Sequence, residues 1–209
     1  MARKIPKGEF RNKERTKLKL INAVGEVIRT QGYTKLGVNN IAKTAGVSKK
    51  LIYRYFGSAD DLVATYVRSR DYWTAFSSHL SKELAEQHQH DHGKDFLTNV
   101  FKNLFEDMSE DSETQKIILW EISEKSKLMS EISEDREKFG GGEIFAITDP
   151  FFAGTDVDIR AICGLLLGGT YYLVLYSNTT GGSFCGIEID TENRKTRLFN
   201  RLDKIIKWA

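Results

Sequence analysis

The chain has 209 residues, 40% of them apolar and 29% charged, with a formal net charge of +2, a composition ordinary for one or two globular domains able to bury a real core. Its two cysteines, Cys163 and Cys185, argue against a disulfide framework and for free thiols in a reducing compartment. The longest apolar run, Ala161–Tyr176, is rich in Gly and Tyr and too short to predict a membrane span, and MARKIPKGEF has no apolar segment behind its basic residues, so a cytoplasmic protein is expected.

The near-neutral total conceals an asymmetry. Residues 1–57 contain fourteen Lys or Arg against three acids, whereas the other 152 residues hold seventeen bases and 26 acids. A basic end on an acidic body is the electrostatic outline of a polyanion-binding module joined to a regulatory or assembly domain. The competing reading is a solvated charged face.

Residues 1–11 are basic and carry Pro6 and Gly8, which predicts a flexible arm. A first helix is expected from about Asn12 to Gln31, with Leu18, Ile21, Val24 or Gly25, and Ile28 as its buried stripe and Gly32 as its end. Tyr33 and Leu36 should pack beneath the two short helices beyond them. From Val38 to Phe56 the chain reads VNNIAKTAGVSKKLIYRYF. Ile41, Ala42 and Ala45 form one apolar helical face, and Gly46 suits a left-handed cap. Val47 plugs the corner, and Ser48 can cap the next helix. There Ile52 and Phe56 turn inward, leaving Lys49, Lys50, Tyr53 and Arg54 for the outer face. Two short helices with such an outer face match the helix-turn-helix of major-groove readers. Ser58 and Asp61 then have capping-box spacing for a fourth helix whose stripe is Leu62, Tyr66, Ser69 or Arg70, and Trp73.

The run from Arg15 to Leu62 resembles the DNA-binding region of the TetR/AcrR family of bacterial transcription regulators. The resemblance is carried by the helix Leu18–Ile28, Gly32-Tyr33, Ile41-Ala42, Ala45-Gly46-Val47-Ser48, Tyr53-Arg54-Tyr55-Phe56 and Ser58 through Leu62. Gly37, Leu51 and Ala59 depart from the family pattern. The resemblance implies an all-α fold: a helix-turn-helix domain over residues 1–57, then a helical effector-binding and dimerisation domain over 58–209, about nine helices in all. It also implies DNA contacts from Asn39, Ser48, Lys49, Lys50, Tyr53, Arg54 and Tyr55, on a near-palindromic double-stranded operator bound by a homodimer.

Beyond the fourth helix, His79, His88, His90 and His92 appear, three of them in QHQHDHG. Alternate histidines with Asp91 can hold a transition metal, but a polar loop is the expected reading, with no metal or other cofactor. A fifth helix is predicted over Asp95–Met108, with Phe96, Val100, Phe101, Leu104 and Phe105 inward, and a sixth over Glu113–Ser123, with Ile117, Ile118 and Trp120. A seventh carries Leu128, Ile132 and Phe139 and breaks at Gly140-Gly141-Gly142. Ile144–Phe152 resumes it until Pro150 stops it. A long apolar helix comes next, from Asp156 to about Asn178, opened by Thr155 and Asp158. Gly181-Gly182 start a loop, and a last helix places Leu198, Leu202, Ile205 and Ile206 on one stripe. By the resemblance these last two helices are the dimer-forming pair, with Gly164, Leu165, Gly168, Tyr171, Leu175, Leu198, Leu202 and Ile205 at the interface.

No G-x-S-x-G, H-E-x-x-H or G-x-G-x-x-G motif is present, and no enzyme activity is expected. Glu121 and Glu124 beside Trp120 suit a surface, and Cys185 lacks a basic neighbour that would activate its thiol. Trp73, Phe101, Phe105, Trp120, Phe139, Tyr172 and Tyr176 are candidate linings of an effector pocket, each weighed against plain core. The expected function is thus a repressor released from its operator by a small molecule. A helix-turn-helix protein without such an effector is the alternative.

Overall fold

The computed structural model describes residues 7–73, 91–138, 142–187 and 192–208. Ten α-helices are found among them: α1 Lys7–Gln31, α2 Val38–Ala45, α3 Lys50–Phe56, α4 Ala59–Arg70, α5 Lys94–Glu110, α6 Ser112–Ser123, α7 Lys127–Arg136, α8 Gly142–Phe152, α9 Ile159–Thr180 and α10 Glu192–Trp208. A short 3-10 turn, Tyr33–Lys35, separates α1 from α2, and the isolated bridge Phe184–Ile187 is the one β feature among the described residues. The chain forms two compact units. The first comprises Met1–Asp71 with Lys116–Ile132, and the second Tyr72–Gln115 with Ser133–Ala209. The boundary expected at residue 57 thus falls inside the first unit, which also recruits most of α6 and the start of α7.

In the first unit α1 begins at Lys7, so residues 7–11, expected as part of a flexible arm, are helical. Residues 1–6 lie outside the described segments. The buried face of α1 is Leu20, Ala23, Val24, Val27 and Ile28, whereas Leu18 is 59% exposed. Two residues apart on a helix is about 200° of rotation, so with Leu20 inward Leu18 must point out; the buried stripe differs in phase from the expected one at that end. Gly25 is required by packing. A methyl there would stand 2.7 Å from Cζ and 2.9 Å from Cε2 of Tyr66, so α1 and α4 cross where only a hydrogen fits. Leu62, Val63, Tyr66 and Val67 of α4 face this core. The Ser58 hydroxyl accepts from Asp61 N at 3.0 Å, the expected cap, and donates to the Asp61 carboxylate at 2.6 Å, so that carboxylate turns to the hydroxyl rather than to Ser58 N and only half of the capping box forms. The helix ends at Arg70, where Asp71 turns extended, so the stripe predicted through to Trp73 is cut before it reaches that residue.

The core of this unit also holds Ile117, Trp120, Met129 and Ile132. The Trp120 ring stacks on Tyr33, centroids 5.4 Å apart and planes 9° from parallel, and its Nε1 donates to Glu124 Oε1 at 2.9 Å. Lys116 Nζ donates to Arg29 O. Residues far apart in sequence therefore close the base of the helix-turn-helix.

The second unit is centred on Phe96, Leu97, Val100 and Phe101 of α5 and on Ile144, Ile147, Phe152, Ile159, Cys163, Leu202 and Ile206. Asp91 starts α5, accepting from Gly93 N at 3.1 Å and Asp95 N at 2.6 Å, and Asp158 starts α9, accepting from Ala161 N at 2.9 Å. Pro150 lies inside the last turn of α8 and does not end the helix where expected. It lacks the donor for Ala146 but leaves Phe151 and Phe152 in helical register, and Ala153 N still reaches Asp149 O at 3.0 Å. Burial pushes the Cys163 thiol up to about 12, because a thiolate loses hydration in an apolar core.

Candidate nucleic-acid interface

Helix α2 ends in a Schellman motif: Gly46 is left-handed at φ 65 and ψ 33, Gly46 N donates to Lys43 O and Val47 N to Ala42 O, both at 3.1 Å. Those two bonds and the absent Cβ produce the sharp corner. The start of α3 is looser than expected. Ser48 Oγ accepts from Lys50 N at 3.4 Å, while Lys49 already has helical dihedrals. Ile52 is fully buried, and Ala45, Val47, Leu51 and Phe56 pack around the same core. This inward set fixes the rotation of α3, so Lys49, Lys50, Tyr53 and Arg54 are all exposed, Tyr53 by 53%.

Asn39 and Ser48 are also exposed, and Asn39 Oδ1 accepts from Lys49 Nζ at 3.1 Å, which joins α2 to the head of α3. Tyr55 is half-buried at the edge of the core, with Arg54 6.0 Å from its ring centroid. All seven residues expected to touch DNA therefore belong to one small module, six on its outer surface and Tyr55 at its rim. Base-edge and phosphate donors carried on a rigid short helix are what major-groove reading requires.

Of the expected effector-pocket residues, Phe101 and Trp73 share the core cluster of the second unit, and the set as a whole does not converge on one cavity among the described residues. Trp120 belongs to the core of the first unit, a correction with a plain cause: its indole is stacked on Tyr33 and inaccessible. Phe101 and Phe105 are buried in the second unit, at 3% and 1% exposure, Phe105 edge-on to Phe199 at 5.2 Å. Trp73 is half-buried and donates to Tyr171 OH at 2.9 Å. Tyr172 and Tyr176 form a surface cluster with Phe184, with centroids 5.0–5.7 Å apart. Phe139 lies outside the described residues. A shallow concavity of about 440 Å³ is bounded instead by Asp149, Phe152, Asp156, Val157, Asp158, Ile159 and Arg160, and the Arg160 guanidinium pairs with Asp149 across it. Sequence reasoning missed this feature; its only sequence signal is the acid-rich TDVD turn. Of the histidines, His79, His88 and His90 lie outside the described residues, and His92 stacks on Phe151 at 4.8 Å.

Helix α9 spans 22 residues with a mean hydropathy of 1.5 over its most apolar window, only 22% of which is buried within the chain. By length and composition it could cross a membrane, contrary to expectation, because the Asp158 and Gly181 caps set it wider than the run Ala161–Tyr176. Gly164, Leu165, Gly168 and Tyr172 are exposed, Leu165 by 79%. Added Cβ atoms at Gly164, Gly168 and Gly169 would meet nothing within 4 Å. Tyr171, Leu175 and Leu198 are half-buried and Ile205 is 43% exposed, but Leu202 is only 6% exposed. Leu202 packs into its own core, so it cannot serve the interface expected of it.

Comparison with known proteins agrees with the module. Residues 20–66 match the model of bacterial regulatory proteins of the tetR family. The chain is similar to the transcriptional regulator FadR from Bacillus subtilis, solved with stearoyl-CoA, at 18% identity and TM-score 0.62 over 90% of this chain and 96% of that one. It is similar to the fatty acid degradation regulator FadR from Bacillus halodurans at 16% identity and TM-score 0.60, covering 92% and 94% of the two chains. It is also similar to NalD, the secondary repressor of the MexAB-OprM multidrug efflux pump in Pseudomonas aeruginosa, at 16% identity and TM-score 0.56, covering 92% and 96%. No match was found among curated protein sequences. With residues 20–66 matching the tetR-family model and folded as a helix-turn-helix whose basic, tyrosine-bearing helix faces outward, and an all-helical body with the fold of those solved regulators, the chain carries the DNA-binding region of a tetR-type transcriptional regulator.

Proposed function

We propose that the protein is a homodimeric repressor that leaves its operator when a small molecule binds the second unit. The observation that carries the reading is the outward row Lys49, Lys50, Tyr53 and Arg54 on α3. Two such helices enter successive major grooves of a near-palindromic site, about one helical turn apart. Lys49, Lys50 and Arg54 supply base and phosphate contacts, while Tyr53 and Tyr55 hold phosphates. Pairing is supported by the bare face of α9, where the exposed Leu165 and the open space over Gly164 and Gly168 leave apolar surface that a second copy would cover. Such C2 pairing is the commonest oligomeric arrangement, and it suits a cytoplasmic protein better than insertion of α9 in a bilayer.

An effector moves the equilibrium only through tighter binding to the form that does not fit DNA. The phenylalanine-rich core of the second unit and the stearoyl-CoA bound by the Bacillus subtilis relative support an effector with a long apolar part. One observation favours the alternative, a regulator without an effector: Phe101 and Phe105 are packed in core, and the described concavity, of mixed polar and apolar lining, is shallow. Genome-wide mapping of bound DNA tests the DNA reading, and no reproducible enrichment would refute it. Titration of the operator complex with acyl-CoAs of graded chain length tests the effector. Release by a long chain and none by free coenzyme A is expected, and indifference to all of them refutes an acyl effector.

A further inference from the structure

The buried stripe of α1 runs through Leu20, Val24, Val27 and Ile28. Traced back toward the amino terminus it leaves the core, and the residue that continues it is Lys13. Lys13 precedes Leu20 by seven positions, which on an α-helix is a rotation of only about 20°. Tyr55 sits at the same edge, half-buried against the core. Lys13 Nζ accordingly lies 5.8 Å from the Tyr55 ring centroid, with the Arg54 guanidinium 6.0 Å from the same ring. Two cations thus converge on one aromatic ring, and Lys13 makes no ion pair with a carboxylate among the described residues. The other charges nearby in sequence do not supply such a pair. Lys17 is matched to Glu14 at 3.4 Å, and the first turn of α4 carries Asp60 and Asp61.

From this geometry we infer that Lys13, Arg54 and Tyr55 form a clamp for a DNA phosphate, with the first helix contributing one of its two cations. The inference rests on the DNA-binding reading above. Like charges held against one ring repel each other, and an anion between them removes that cost. An exposed lysine is also a flexible point charge suited to phosphate. Lys13 lies upstream of the family match, which begins at residue 20. It reads no base, so its contribution must be the same on every sequence and must fall with salt.

The test uses the full chain and a labelled mixed-sequence 30-base-pair duplex, with anisotropy titrations from about 50 to 200 mM salt. Lys13→Gln should make the slope of log K against log salt shallower by about 0.9 for each protomer that loses the contact, with the thermal midpoint of the DNA-free protein unchanged. Lys13→Arg should restore the wild-type slope. An unchanged slope in Lys13→Gln overturns the inference. So does weaker binding at unchanged slope with a lowered midpoint, which would mean that Lys13 only props Tyr55. Failure of the wild-type protein to bind the duplex overturns the DNA reading itself and this inference with it, so the two failures are distinguishable.

Discussion

Trp120 lies more than fifty residues beyond the recognition helix, yet its truncation should destabilise the DNA-binding module. Its side chain is 8% exposed in the core of the first unit, stacked on Tyr33 and bonded through Nε1 to Glu124. Replacing a buried Trp by Ala costs about 3–5 kcal/mol in transfer and cavity terms, a large part of the roughly 5–15 kcal/mol available to a domain. Trp120→Phe keeps an aromatic ring over Tyr33 and gives up the indole N–H bond, so it should cost about 1 kcal/mol. The assay is urea unfolding together with amide hydrogen exchange. In Trp120→Ala, protection should fall in α1 to α4 and in residues 116–132, with α5 and α9 affected less. A Tyr33→Leu/Trp120→Leu double-mutant cycle should give a coupling of about 0.5–1.5 kcal/mol. If Trp120→Ala leaves protection in α1 and α4 at the wild-type level, Trp120 is not part of that core and the assignment of residues 116–132 to the first unit is wrong.

The packing, the outer face and the buried thiol each carry an expected outcome of their own. Gly25→Ala should destabilise the first unit by about 1–3 kcal/mol, since its methyl meets the Tyr66 ring; an unshifted urea midpoint would contradict the close crossing of α1 and α4. Lys49→Ala with Tyr53→Ala should abolish operator binding at physiological salt without changing the mass in solution, because both side chains face outward; gel-shift and sedimentation measurements check the two halves. Leu165→Glu should yield monomers that fold but bind a full operator weakly, and sedimentation showing an intact dimer would refute pairing through α9. Cys163 has its folded pKa raised toward about 12, so its contribution to stability is fully present below the unfolded value and is lost as pH rises from about 9 toward 12. Burial likewise raises the Tyr72 phenol, and the two fall in one alkaline window; unfolding free energy measured from pH 7 to 11 should decline only in its upper part. At pH 8 a thiol reagent should modify the exposed Cys185 quickly and Cys163 only on unfolding.

The amino-acid sequence by itself determined the helix-turn-helix closely. Its α2 boundaries, the left-handed Gly46, the inward Ile52 and the outward Lys49, Lys50, Tyr53 and Arg54 are set by contacts within about twenty residues, and local periodicity and cap chemistry encode such contacts directly. The Ser58 cap and the apolar face of α5 were legible for the same reason, whereas α9 starts at Ile159 with Asp158 as its cap, not at Asp156 behind Thr155 as expected. What the sequence could not say was which partner each apolar residue would meet. Trp120 looks the same in a pocket, at a surface or under Tyr33. Leu202 and Ile205 share one helical stripe, yet only Leu202 reaches its own core. Leu18 and Leu20 differ by a helical phase that only docking of α1 on α4 fixes. The recruitment of Lys116–Ile132 to the DNA-binding unit and the meeting of Lys13 with Tyr55 are likewise decisions of tertiary packing. They depend on surfaces brought together across long stretches of chain, and nothing in a local pattern of side chains records which surfaces those will be.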